Sequence, residues 1–135
     1  MIQIEIYEEF DRWLDNLLEN NDMPDEMRAF CFNLYDESDD AYNTEFGIQL
    51  IASDKYDESD DEWACSEVWT SEEDMFYVDS SDETDKSREN SRNFAKELIS
   101  GYLESGKYAR ILKGAEAVAL GFVDGELETI YKREN

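Results

Sequence analysis

Residues 36–85 carry 19 Asp and Glu but only one base, Lys55. Like charge at that density works against compaction by self-repulsion. Such a segment folds only if its acids stand on loops and strand edges while the apolar residues between them go inside. The flanks differ: residues 1–35 hold 9 acids and 2 bases, and residues 86–135 hold 8 acids and 9 bases. A protein adapted to high salt would be acidic throughout, so the local excess points to a surface with a purpose. The whole chain of 135 residues has a net charge of −24, yet 41% of it is hydrophobic and 13% aromatic. That is enough apolar material for a core, and the length suits one domain, residues 1–135, with no linker in view.

Within the acidic segment one hexapeptide, YDESDD, occurs twice, at Tyr35–Asp40 and Tyr56–Asp61. Neither copy reads as an EF-hand, which needs Gly at position 6 and Glu at position 12. Counted from Asp36 those positions are Ala41 and Gly47; counted from Asp57 they are Glu62 and Val68. Each copy follows an alternating apolar run, Phe30-x-Phe32-x-Leu34 before the first and Phe46-x-Ile48-x-Leu50 before the second. The repeat is therefore read as a one-hairpin duplication, or as two solvated, charge-protected loops beside apolar strands. In a meander the two copies fall at opposite ends of the sheet and cannot share one metal ion.

The periodicity predicts an α+β fold: a mainly antiparallel sheet of about five to six strands, with two main helices packed on one face. Ile6 to Leu18 has the i, i+3, i+4 spacing of a helix with a buried stripe, and Lys86 to Glu104 has a second such stripe from Phe94 to Leu103. Strands are predicted at Ala29–Tyr35, Thr44–Ala52, Trp63–Thr70 and Met75–Val78, and a short helical turn at Tyr108–Leu112. The end of the chain reads as a hairpin about Asp124–Gly125. Its first strand, Ala115–Val123, is apolar with little alternation, which predicts cover on both faces.

Chemistry is narrowed by what is missing. The chain has no histidine, so a Ser–His or Cys–His dyad is excluded. Its 6 glycines are scattered and form no phosphate loop. Two cysteines, Cys31 and Cys65, without histidine do not make a zinc site, and both are expected as buried thiols of a reducing cytoplasm. Glu67, in WACSEVWT, is the one carboxylate suited to a general-acid role, against the plainer reading of a solvent-facing strand position. No cofactor or metal is expected. The N-terminus has no basic region or small-residue cleavage site, so no signal peptide is predicted, and no apolar run reaches the length of a membrane span. Direct binding of nucleic acid is disfavoured, because phosphates would be repelled.

A dense acidic field steers a basic partner to a fast encounter, while buried aromatics supply affinity. The candidate partner-binding residues are therefore Asp36, Glu37, Asp39 and Asp40 of the first copy. The second copy and the residues just after it supply Tyr56, Asp57, Glu58, Asp60, Asp61, Glu62, Trp63 and Trp69. For the two tryptophans a core role competes evenly.

In overall character, the stretches FNLYDESDDAYNTEFGIQLIASDKYDESDDEWACSEVW and AVALGFVDGELETIY resemble the small acidic immunity proteins encoded beside bacterial polymorphic or contact-dependent toxins. The resemblance implies a cytoplasmic protein without catalytic residues that binds one cognate toxin, often a nuclease, and blocks it. Two other expectations stand beside it. A DNA mimic would bind several DNA-binding proteins and be competed off by DNA. A small carboxylate enzyme would gather acids around a metal in a pocket.

Overall fold

A computed structural model describes residues 4–36, 45–57, 59–71, 74–79, 88–122 and 127–133. Helix α1, Ile4–Asn20, precedes strands β1, Ala29–Asp36, and β2, Glu45–Ser53. A 3-10 helix, Asp61–Cys65, leads into β3, Glu67–Thr70, and β4, Phe76–Asp79. Helices α2, Arg88–Ser105, and α3, Ala109–Lys113, then lead to β5, Ala117–Phe122, and β6, Glu128–Lys132. The fold class is the predicted one. The expected third strand is not a single strand, however: its first half, from Trp63, is 3-10 helix, and only Glu67–Thr70 pairs with β2.

The sheet runs β3-β2-β1-β5-β6, with β4 also on β2. β3 pairs with Ile51–Ser53 and β4 with Glu45–Ile48, so the two are halves of one broken edge strand. Ser71 bridges the break. Its N–H donates to the Leu50 carbonyl (2.9 Å), and its Oγ accepts from the Leu50 N–H (3.2 Å), standing in for a main-chain carbonyl. β1 and β5 are parallel, which the sequence pattern does not announce. All other pairings are antiparallel. The 123–126 turn of the predicted C-terminal hairpin lies outside the described residues, but its strands pair as expected.

Alternation sorts the side chains between two faces. Phe30, Phe32 and Leu34 of β1, Phe46, Ile48 and Leu50 of β2, and Val118, Leu120 and Phe122 of β5 meet the helices. Phe10, Leu14, Leu17 and Leu18 of α1 fill the space above them, with Phe94, Leu98, Ile99, Tyr102 and Leu103 of α2. Each such side chain contributes about 1.5–3 kcal/mol by leaving water. Phe10 stands at the centre: its ring is edge-on to Phe76 (5.4 Å) and to Tyr102 (6.5 Å). No described helix is long and apolar enough to cross a membrane.

Tyr102 is a buried polar tie through this layer. Its buried hydroxyl donates to Asp15 Oδ1 (2.6 Å) and accepts from the Tyr108 N–H (3.2 Å), joining α1, α2 and the entry to α3. Burial first, then the bond to Asp15, push the phenol well above its usual range. Gly106 lies against the same ring: a Cβ there would meet it at 2.6 Å.

Tyr102→Phe is expected to cost roughly 1–2 kcal/mol in urea unfolding, because Asp15 and the Tyr108 N–H lose their shared partner. The phenol's folded pKa is raised, so its stabilisation is complete below about pH 10 and fades as pH rises past that. Tyr102→Phe should remove that part of the alkaline loss. An unchanged midpoint and alkaline slope would show that the tie contributes nothing.

Candidate functional site

The second face of the sheet is different at its two ends. Where β1 and β5 begin, the residues on this face are small: Ala29, Cys31, Ala117 and Ala119, with Ile51 of β2 beside them. That bed of short side chains leaves room for one large ring. Trp63 fills it and is 5% exposed. Tyr56 packs edge-on against Trp63, with ring centres 5.2 Å apart, and its hydroxyl lies 3.3 Å from Thr129 Oγ1 on β6. The connection from β2 to β3, described over residues 54–57 and 59–66, is thus laid across the back of the sheet. The predicted cover on both faces of β5 is real, with helices on one side and this loop on the other.

The neck of the loop closes on Ser53. Its buried hydroxyl lies 2.6 Å from the Trp63 carbonyl and 3.1 Å from that of Ser66, and it accepts from the Lys55 N–H (3.1 Å). Ser66 Oγ donates to Asp54 Oδ1 (2.6 Å). Beyond the neck, two acids of the hexapeptide build turns. Asp57 Oδ1 accepts from Ser59 N–H (2.9 Å) and Ser59 Oγ (2.7 Å). Asp60 caps the 3-10 helix by accepting from the Glu62 N–H (3.0 Å). Asp, Ser and Asp at these offsets are the residues such turns require. Asp57, Asp60 and Glu62 are exposed, and none is in an ion pair with a described residue. The two Ser59 bonds hold the Asp57 carboxyl below its usual pKa, so its charge persists into mild acid.

The candidate residues therefore separate. Tyr56, Asp57, Asp60, Glu62 and Trp63 share the loop. Asp61 opens its 3-10 helix. Trp63 belongs to the protein's own core, the role that competed evenly with a partner's anchor: the ring is already used on the alanines. Tyr56 is half-buried beside it. Trp69 is half-buried on the other face, packed on the helix-side core. Asp36 ends β1 opposite Phe46, whereas Ser53, at the root of the second copy, is opposite Ala29. The two hexapeptides start from opposite ends of the strands, roughly 20–25 Å apart. Glu37, Asp39, Asp40 and Glu58 lie outside the described residues. Cys31 is buried and Cys65 exposed, and neither is in a disulfide. The expectation that both are buried fails for Cys65 because it closes the 3-10 helix on the solvent side. Glu67 is exposed on β3. Among the described residues, no three His, Cys, Asp or Glu gather in a way that could hold a metal.

Two features escaped the sequence pattern. The first is the other half of the second face, where register aligns Asn33 with Gln49, and Tyr35 with Gly47 and Tyr77. The Tyr35 hydroxyl donates to Gln49 Oε1 (2.9 Å), and Tyr77 is 51% exposed. Burial, then the Glu67 carboxylate, hold the Tyr35 phenol above its usual value. The odd-numbered positions of β1 change from Ala29 and Cys31 to Asn33 and Tyr35, a polarity switch already visible in the sequence. The second is a cleft of 620 Å³ between the end of α1 and β3, lined by Leu17, Asn21, residues 67–71 and Asp74. It is made by packing and has no sequence signature.

No protein-family model matches the chain, and comparison with curated proteins and with solved structures finds no match either.

Trp63→Ala should cost about 3–5 kcal/mol, because the alanine bed cannot close over the gap; loss below about 1 kcal/mol would mean the ring is not a core element. The Asp57 carboxyl, titrated by NMR, should show a midpoint below the usual value near 3.9, and Ser59→Ala should raise it. A midpoint unmoved by that substitution would refute the turn as the cause.

Proposed function

We propose that this chain is a non-catalytic inhibitor that binds one basic protein partner and occludes it, as an immunity protein does for its cognate toxin. One observation carries the reading. Asp57 and Asp60 are exposed and unpaired with any described base, yet both are held in place by hydrogen bonds within their own loop. Glu62 stands exposed on the same loop. Charges fixed before binding lose little freedom on contact, so attraction to lysines and arginines is not offset by ordering. They also speed encounter by steering.

The partner fitting this surface presents a cluster of Lys and Arg, as the substrate cleft of a nuclease does. The carboxylates of the loop would pair with those cations and keep substrate out. The inhibitor contributes no chemistry of its own, and the reading places it in the cytoplasm with the toxin it restrains. The first hexapeptide begins at the opposite end of the strands, at Tyr35 and Asp36, and would engage a different part of the partner.

The test is co-expression with the C-terminal domain encoded by the adjacent reading frame, scored by one-to-one binding and rescue of growth. The variant Asp57→Asn/Asp60→Asn/Glu62→Gln removes three charges while asparagine keeps both turns. It should slow association roughly tenfold at low salt and flatten its salt dependence. Association kinetics identical to the native chain would remove the loop from the interface. Displacement of the chain by duplex DNA from several unrelated DNA-binding proteins would replace this reading with the DNA mimic.

A further inference from the structure

We infer that Lys107, Arg110 and Lys113, in and just before α3, form a second contact for the partner of the acidic loop, and that this contact takes a cluster of the partner's own Asp or Glu side chains. The inference rests on the proposed binding of a basic partner and adds what lies beside that partner's cations.

The chain has 36 acids against 12 bases, yet residues 105–115 hold three bases and no acid. α3 is roughly 8 Å long, and Arg110 and Lys113, three residues apart, stand on the same side of it. Its buried side, Ala109 and Leu112, packs on the helix-side core, which leaves the bases outside. Lys107 and Arg110 are exposed and Lys113 is half-buried. None of the three is in an ion pair with a described residue. Lys107 lies over the Tyr108 ring, 5.4 Å from its centre. Arg133 extends the patch, since its guanidinium donates to the Gly114 carbonyl, one residue past Lys113. Ile111, 38% exposed, stands among these cations. Bases that the protein's own acids leave alone, around an exposed apolar side chain, suit an interface whose other side is anionic.

The patch is continuous with the acidic loop. Glu116, just before β5, donates its N–H to the Arg28 carbonyl (2.7 Å), and its carbonyl accepts from the Arg133 N–H (2.9 Å). That row closes one end of the sheet. A pocket of 160 Å³, lined by Tyr56, Glu116, Lys132 and Arg133, joins the row to the loop. Arg28 lies 3.9 Å from Glu116, so the acid in the row already has a base beside it. From Asp57 to α3 the surface therefore changes sign around this end of the sheet. A partner covering roughly 800 Å² on its side reaches both parts. A uniformly basic protein would gain at the loop and lose at α3. A partner with acids beside its cations gains at both, and in one orientation only. Charge of both signs thus selects one partner over basic proteins at large. A second copy of this chain could offer acids to α3, but its net charge of −24 opposes the approach.

The test uses the complex of the full chain with the C-terminal domain encoded by the adjacent reading frame. A carbodiimide joins an amine to a carboxylate in contact with it. It should link Lys107 or Lys113 to Asp or Glu residues of that domain, read by mass spectrometry of the digested complex. Arg110→Glu/Lys113→Glu should weaken binding roughly tenfold, since two exposed attractions become repulsions. Should that variant not fold, the cross-links on the native chain decide alone. Absence of such links, or links from these lysines only to acids of this chain, would overturn the inference. So would self-assembly of the chain that the reversal abolishes, which would assign the patch to a second copy. A complex with duplex DNA that the reversal abolishes would assign it to nucleic acid instead. The two levels separate in the same experiment. Native affinity after the reversal eliminates the patch and leaves the inhibitor standing, whereas absence of any binding by the native chain eliminates the inhibitor itself.

Discussion

Trp63 lying on a bed of alanines is the contact on which the placement of the β2–β3 loop depends. The two central strands put large side chains under the helices and small ones on the back. Because Ala29, Ala117 and Ala119 reach so little way out, an indole can approach the sheet closely and exclude water from it. Tyr56 then packs on the indole, and the chain between these two rings has no choice but to run across the sheet. Asp57, Asp60 and Glu62, between the rings, are displayed outward because the aromatics beside them are drawn inward. A burial of this kind is worth a few kcal/mol, well above what any exposed carboxylate of the loop can oppose by repulsion in water.

The charge distribution has the same logic at larger scale. The acids described on β1–β4 and their connections stand at strand ends, in turns or on the edge, and the core beneath them is apolar. Several of the bases outside the acidic segment serve the protein itself. Lys96 of α2 pairs with Glu128 of β6, Arg28 lies 3.9 Å from Glu116, and Arg133 donates to the Gly114 carbonyl. Each such contact contributes little energy, and none of the three draws its base to a described acid of the middle segment.

Legibility in the sequence tracked the strength of the period. Both helices and the strands β1 and β2 rest on runs of alternating or helically spaced apolar residues, and their boundaries lie within a few residues of the pattern. The stretch from Trp63 to Thr70 has apolar residues at nearly strand spacing, but Asp60 and Ser66 turn its first half into a capped 3-10 turn. There a local side-chain bond overrode periodicity. The parallel pairing of β1 with β5 was hidden for another reason: the partners are more than 80 residues apart, and only the helices between them bring β5 back alongside β1.

The class of fold, the two helical stripes, the alternating strands, the lack of any histidine-based chemistry and the acid of the middle segment were all readable along the chain. These are properties of spacing and composition, which act locally. Tertiary structure alone decided that Trp63 is core and Trp69 faces the helices, that Cys65 is exposed, that the two hexapeptides are a strand's length apart, and that β3 borders an acidic cleft. Each depends on which residues from distant parts of the chain meet across a sheet. The same alternating pattern is compatible with either face, and only packing against the other elements chooses between them.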